Sequence, residues 1–154
     1  MLPSIRFYHL TTTSLEKALP KLLEKIYAQK QRALLLTDSE EQTEALALQL
    51  WTYNPASFLP HGTHKDGFIQ DHPIFITHRE ENPNKAEILI ILNESLPAFI
   101  SSFKECLDLF EAPFPDENSR FLKRWTHYAA QNYALIHWKQ QKDGQWEKIQ
   151  ESTP

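Results

Sequence analysis

The chain has 154 residues, 41% hydrophobic and 23% charged, which are the values of one globular domain large enough to bury a core. Its single cysteine, Cys106, excludes an internal disulfide and a cysteine-rich zinc site and fits a reducing cytoplasm. The apolar runs are too short to cross a bilayer, and the start (Met1-Leu2-Pro3-Ser4-Ile5-Arg6) lacks the charged and apolar regions of a signal peptide. Net charge is −4 but uneven: residues 1–118 hold 10 Lys/Arg against 17 Asp/Glu, and residues 119–154 hold 6 against 3. A basic end on an acidic body suggests a local anionic partner and little direct nucleic-acid binding.

Ile5–Leu10 reads as a first strand. Thr11-Thr12-Thr13-Ser14 is a cluster of cap-type residues, but Lys17 stands where a capping box needs an acid. Leu15, Ala18, Leu19, Leu22, Leu23 and Ile26 recur at helical spacing, and Pro20 either starts or kinks that helix. Ala33–Thr37 is a short apolar run typical of a strand buried on both faces. Asp38-Ser39-Glu40-Glu41 opens a second helix with acids at its positive end, running to Trp51. The β-α-β-α order predicts parallel strands with helical crossovers.

Residues 61–72 form a polar loop holding two of the three glycines. Strands follow at Ile74–Thr77 and Glu87–Leu92, and a short helix is expected over Pro97–Phe103. Cys106–Phe110 either continues that helix or forms a strand. Pro113 and Pro115 break the chain before a further helix from about Asn118 to Gln131. Ala134–Trp138 reads as a late strand, paired through a turn at Lys142–Gln145 with Trp146–Ile149. The expectation is one α/β domain over residues 1–150 with a frayed tail at 151–154.

Four groups of residues invite a functional reading. Trp51 and Phe58 lie in a segment, Leu50 to Gly62, that carries two prolines, Pro55 and Pro60, and they either anchor a protein partner or cap the core from a helix end. On the last helix, Phe121, Trp125 and Tyr128 fall on one face and should pack on the sheet. Arg120, Arg124 and His127 form a cationic stripe beside them, with Lys123 at its margin: either a pocket for an acidic peptide or an ordinary solvated face. His61, His64 and His72, with Asp66 and Asp71, are zinc-type ligands in one loop, but their spacing is no known metal motif; the alternatives are a metal-dependent hydrolase or a polar loop. Trp125, Trp138 and Trp146 in the basic end suit base stacking, though its charge makes single-stranded DNA binding the weaker reading.

Catalysis finds little support. There is no glycine-rich phosphate loop, the turn after the first strand has no glycine, and there is no Gly-x-Ser-x-Gly elbow. Glu40-Glu41 and Glu80-Glu81 are sequence neighbours, whose side chains rarely converge. Cys106, with only Lys104 nearby as a cation, reads as an inert buried thiol.

Several segments together resemble a known family. They are Ile5-Arg6-Phe7-Tyr8, Arg32 to Asp38, Leu50-Trp51 through Ser57-Phe58-Leu59-Pro60-His61, Ile88 to Asn93 followed by Pro97 to Phe103, Arg124-Trp125, and Ile136-His137-Trp138. In order and spacing they are similar to the chi subunit family of bacterial DNA polymerase III. The resemblance implies a Rossmann-like three-layer fold: a mostly parallel mixed sheet flanked by helices, with no nucleotide-binding loop. It implies a non-catalytic, cytoplasmic accessory subunit that needs no cofactor or metal. Such a subunit links the clamp-loader assembly to the single-stranded DNA-binding protein by holding that protein's acidic C-terminal tail. By position the tail pocket falls on Arg124 and Trp125, with Arg120, Lys123 and His127 nearby. The resemblance further implies that the psi subunit, or a repair helicase, docks at Trp51 and Phe58. The family often carries cations where this chain has Leu122 and Thr126, which implies weaker tail affinity or a stripe shifted toward Arg120 and Lys123.

Overall fold

The computed structural model describes residues 2–54, 58–111 and 120–154, with the backbone alone at Arg120. The proline break at Pro113 and Pro115, the helix onset at Asn118, the Arg120 side chain, Pro55 and Ser57 lie outside the described residues. Among the described residues seven strands form one sheet: β1 Ser4–Leu10, β2 Ala33–Leu36, β3 Ile74–Thr77, β4 Ile88–Ile91, β5 Glu105–Glu111, β6 Ala134–Gln140 and β7 Trp146–Ser152. Their order across the sheet is β3-β2-β4-β5-β1-β6-β7, parallel except for the β6–β7 hairpin. The helices are α1 Leu15–Ala28, α2 Glu40–Thr52 and α3 Arg120–Ala130.

The period of two along each strand divides the core into two halves. Ile5, Phe7, Leu34, Leu89, Cys106 and Leu135 face one side and meet Phe121 and Tyr128 of α3. Leu35, Ile76, Ile90, Leu107 and Leu109 face the other and meet Leu19, Leu23 and Ile26 of α1 and Leu50 of α2. The chain is therefore three-layered, as expected of parallel strands joined by helical crossovers.

Pro20 lies inside α1, which runs through it. Proline has no N–H, so the carbonyl of Glu16, four residues earlier, loses its helical donor. The Gln49 side chain of α2 donates to that carbonyl at 2.8 Å. A break in one helix is thus repaired by its neighbour. Helix α2 begins as its sequence dictates: Ser39 accepts from the Gln42 amide at 3.1 Å, and Glu40 and Glu41 occupy the first turn.

Two expectations change and one open choice is settled. The Pro97–Phe103 helix shrinks to a 3-10 turn at Ile100–Ser102, because Phe103 is already extended and Lys104 donates to the Glu87 carbonyl at 2.8 Å on the way into β5. Cys106–Phe110 is strand, paired in parallel with both β1 and β4. The expected tail at 151–154 begins inside β7, since Glu151 and Ser152 pair with Ile136 and Leu135.

Candidate partner-binding surfaces

The turn between β1 and α1 is where α/β folds commonly seat a phosphate, on backbone amides at a helix start. Here the Gln140 side chain, from the end of β6, fills it. Its Oε1 accepts from the amides of Thr11, Thr12 and Thr13 at 3.3, 3.1 and 3.0 Å. Its Nε2 donates to Thr13 Oγ1 at 2.9 Å, and Thr11 Oγ1 donates to the Gln140 carbonyl at 2.6 Å. The missing glycine is legible in the sequence; the plug is not, because it comes from a strand more than a hundred residues away.

Helix α3 departs from the expected stripe at Arg124. Phe121, Arg124 and Tyr128 are its buried positions, Leu122 and Trp125 are half-buried, and Lys123 and His127 are exposed. Arg124 is only 1% exposed. Its Nε lies 3.2 Å from Asp108 Oδ2, and its NH2 group donates to the carbonyls of Asn93 and, at 2.9 Å, Ser95. The cause lies on β5: Cys106, Asp108 and Phe110 alternate onto the face under α3, so an acid is carried into the core and needs a cation above it. Burial also pushes the nearby Tyr128 phenol up to about 12, partly opposed by the Arg124 charge. Asp108 was readable in the sequence as a lone acid in an apolar alternation, but its partner was not.

Around Arg124 the packing is aromatic. Phe7 meets Phe121 at 5.2 Å and Trp125 at 5.7 Å between ring centroids. His137 lies against Phe121 at 4.4 Å, and His9 stacks on Phe110 at 4.8 Å. Burial, then the neighbouring His9 and Lys139, lower the His137 pKa to about 4. Beneath them burial lifts the Cys106 thiol to about 12, which leaves it without thiolate reactivity at neutral pH.

On the opposite side of the sheet, the end of α2 exposes apolar surface. Trp51 is 51% and Phe58 67% exposed, with centroids 5.5 Å apart; Leu48 is also exposed. His61 supports Trp51 from below at 4.6 Å and is itself buried. Its Nδ1 lies 2.7 Å from the Leu59 carbonyl and its Nε2 2.9 Å from that of Ala47.

These contacts turn His61 away from the other histidines of the loop. His64 pairs with Glu81, and His72 Nε2 lies 2.8 Å from the Gly67 carbonyl. Asp66 accepts from the Thr63 amide at 2.8 Å and closes a 3-10 turn over His64–Asp66. A Cβ on Gly62 would fall 2.4 Å from the His72 ring, which would have to shift to admit any other residue there. Among the described residues, no three His, Cys, Asp or Glu side chains come together as a metal cage. Nor is any described helix long and apolar enough to cross a membrane.

A parallel sheet in three layers, with its phosphate turn filled from within, defines a Rossmann-like α/β protein. Residues 2–136 match the family described as DNA polymerase III chi subunit, HolC. The chain is 36% identical over 104 residues to the probable DNA polymerase III subunit chi of Rickettsia prowazekii, a match covering 68% of this chain and 63% of that protein. It is 28% identical over 112 residues to the DNA polymerase III subunit chi of Haemophilus influenzae, covering 70% of this chain and 78% of the relative. The match to the first of these spans just under two thirds of the relative's length. The chain belongs to the DNA polymerase III chi subunit family.

Proposed function

We propose that the protein is a non-catalytic accessory subunit of the bacterial replicase that ties the clamp-loader assembly to the single-stranded DNA-binding protein. The tail of that protein, acidic and ending in phenylalanine, is received on the outer side of α3. Lys123 supplies charge there, with the exposed His127 beside it, and the exposed part of Trp125 supplies apolar contact. Arg124 acts from beneath, holding α3 on the sheet through Asp108. The second surface, Trp51 and Phe58, takes the psi subunit or another replisome or repair partner.

Family membership carries this reading. Two surfaces on opposite faces of the sheet suit a bridge, because both partners can be held at once. Few cations remain exposed on α3, so affinity is modest and weakened by salt.

The test is a titration with a fluorescent peptide of the tail at low and moderate salt. Salt-sensitive binding that is lost on deleting the terminal phenylalanine, and weakened by Trp125→Ala and Lys123→Glu, is the expected result. Absence of binding at low salt overturns the proposal.

A further inference from the structure

The face of the sheet that carries α1 is not fully covered. Leu19, Leu23 and Ile26 seat α1 over the middle strands, while β6 and β7 extend past it. The result is a groove of about 600 Å³ between α1 and the hairpin. Its floor is aromatic: Tyr8, Trp138 and Trp146, with Tyr8 and Trp146 edge to face at 5.2 Å. Its wall carries Lys21 and Lys25, one helical turn apart and both exposed. Lys148, held by Glu151 at 3.0 Å, lies 5.8 Å above the Trp138 ring. No acidic side chain and no arginine is among the described residues lining the groove. Among the described residues, Lys21 and Lys25 enter no ion pair.

We propose that this groove binds single-stranded nucleic acid, stacking bases on Trp146 and Trp138 and placing the phosphates against Lys21 and Lys25. The exposed Trp146 offers stacking surface that accepts any base, as in sequence-tolerant single-strand binders, and Trp138 lies beside it beneath Lys148. Lysines act as point charges toward phosphate, whereas a carboxylate is better matched by an arginine fork, which the groove lacks. Complementarity is local: the groove is cationic although the chain is net acidic. The sequence offers Trp138 and Trp146 of the basic end for base stacking, but it does not show that Lys21 and Lys25, from the acidic half, stand beside them. The site is on the opposite side of the sheet from α3, so its occupancy is independent of the tail proposed there.

The experiment uses the full chain and a labelled oligothymidylate, with binding read by fluorescence anisotropy across a salt series. Binding at low salt that falls with added salt is expected. Trp146→Ala should weaken it by about five- to hundred-fold, the range for loss of one stacked base. Should that variant disturb the hairpin, the double substitution Lys21→Gln, Lys25→Gln lies on an exposed helix face. It should lower the logarithmic salt slope by about 1.4, at roughly 0.7 for each phosphate contact. Tail-peptide affinity should be the same in all of these variants. The proposal is overturned if the wild-type chain fails to bind at low salt, or if neither variant changes the affinity. It is also overturned if an acidic peptide, and not the oligonucleotide, is the ligand these substitutions release.

Discussion

Helix α3 buries a charge, and the end of α2 exposes a tryptophan. Arg124 and Trp51 each invert the ordinary partition of side chains, for different reasons. Arg124 is inside because β5 carries Asp108 to the face beneath it, and the ion pair and the Asn93 and Ser95 carbonyls occupy its guanidinium. Trp51 is outside although apolar, and a buried histidine holds it in place. A buried charge with partners speaks of architecture. Apolar surface held outward speaks of contact with another molecule.

The largest effect is expected at Arg124. Arg124→Ala leaves Asp108 without its buried counter-ion and should cost about 3–5 kcal/mol of stability. Chemical denaturation measures this; a loss confined to tail affinity, with the midpoint unchanged, would return Arg124 to the surface. Next in size is the pH dependence of the same region. The folded pKa of His137 is about 4, below its unfolded value, so the unfolded chain binds the extra proton between the two. Stability from this residue is complete above about pH 6.5 and falls as pH drops toward 4, by up to about 3 kcal/mol. His137→Phe should flatten that part of the denaturation–pH profile.

A smaller effect tests whether α2 is held as firmly as α3. Gln49→Ala removes the donor to the Glu16 carbonyl beside Pro20 and should cost about 1 kcal/mol. Pro20→Ala, which restores the helical donor, should make the Gln49 substitution milder in a double-mutant cycle. The smallest change is expected at the exposed end. Phe58→Ala should lower stability by less than about 1 kcal/mol and leave tail binding intact. Affinity for the second partner should drop, as measured by pull-down with purified replisome subunits; a large loss of stability would make Phe58 a core residue.

Much of the fold was legible because local pattern and tertiary role agree. Ala33–Leu36 and Ile88–Ile91 are too apolar for anything but a strand buried on both faces, and both are central in the sheet. Ser39 with its following acids fixed the start of α2. What escaped was set by residues distant in sequence. The inward turn of Arg124 depends on Asp108 and Asn93, and helical spacing alone cannot say which of two adjacent stripes meets the sheet. Cys106–Phe110 was ambiguous because five residues fit either period; pairing with two neighbouring strands decides it. The histidine loop looked like a ligand set because spacing in a loop carries no direction. In the structure His61, His64 and His72 turn to different partners, none shared between them.

Gln140 has a consequence in terms of competition. An amide tethered to the neighbouring strand acts on the Thr11–Thr13 turn as an intramolecular ligand, with an effective concentration of order millimolar or higher. A free phosphate would have to outbid a group that never diffuses away. The chain thus keeps the geometry of an anion cradle while insulating it from the metabolite pool. Gln140→Gly would reopen the turn, converting a self-liganded joint between β6 and α1 into a site whose occupancy follows the surrounding phosphate.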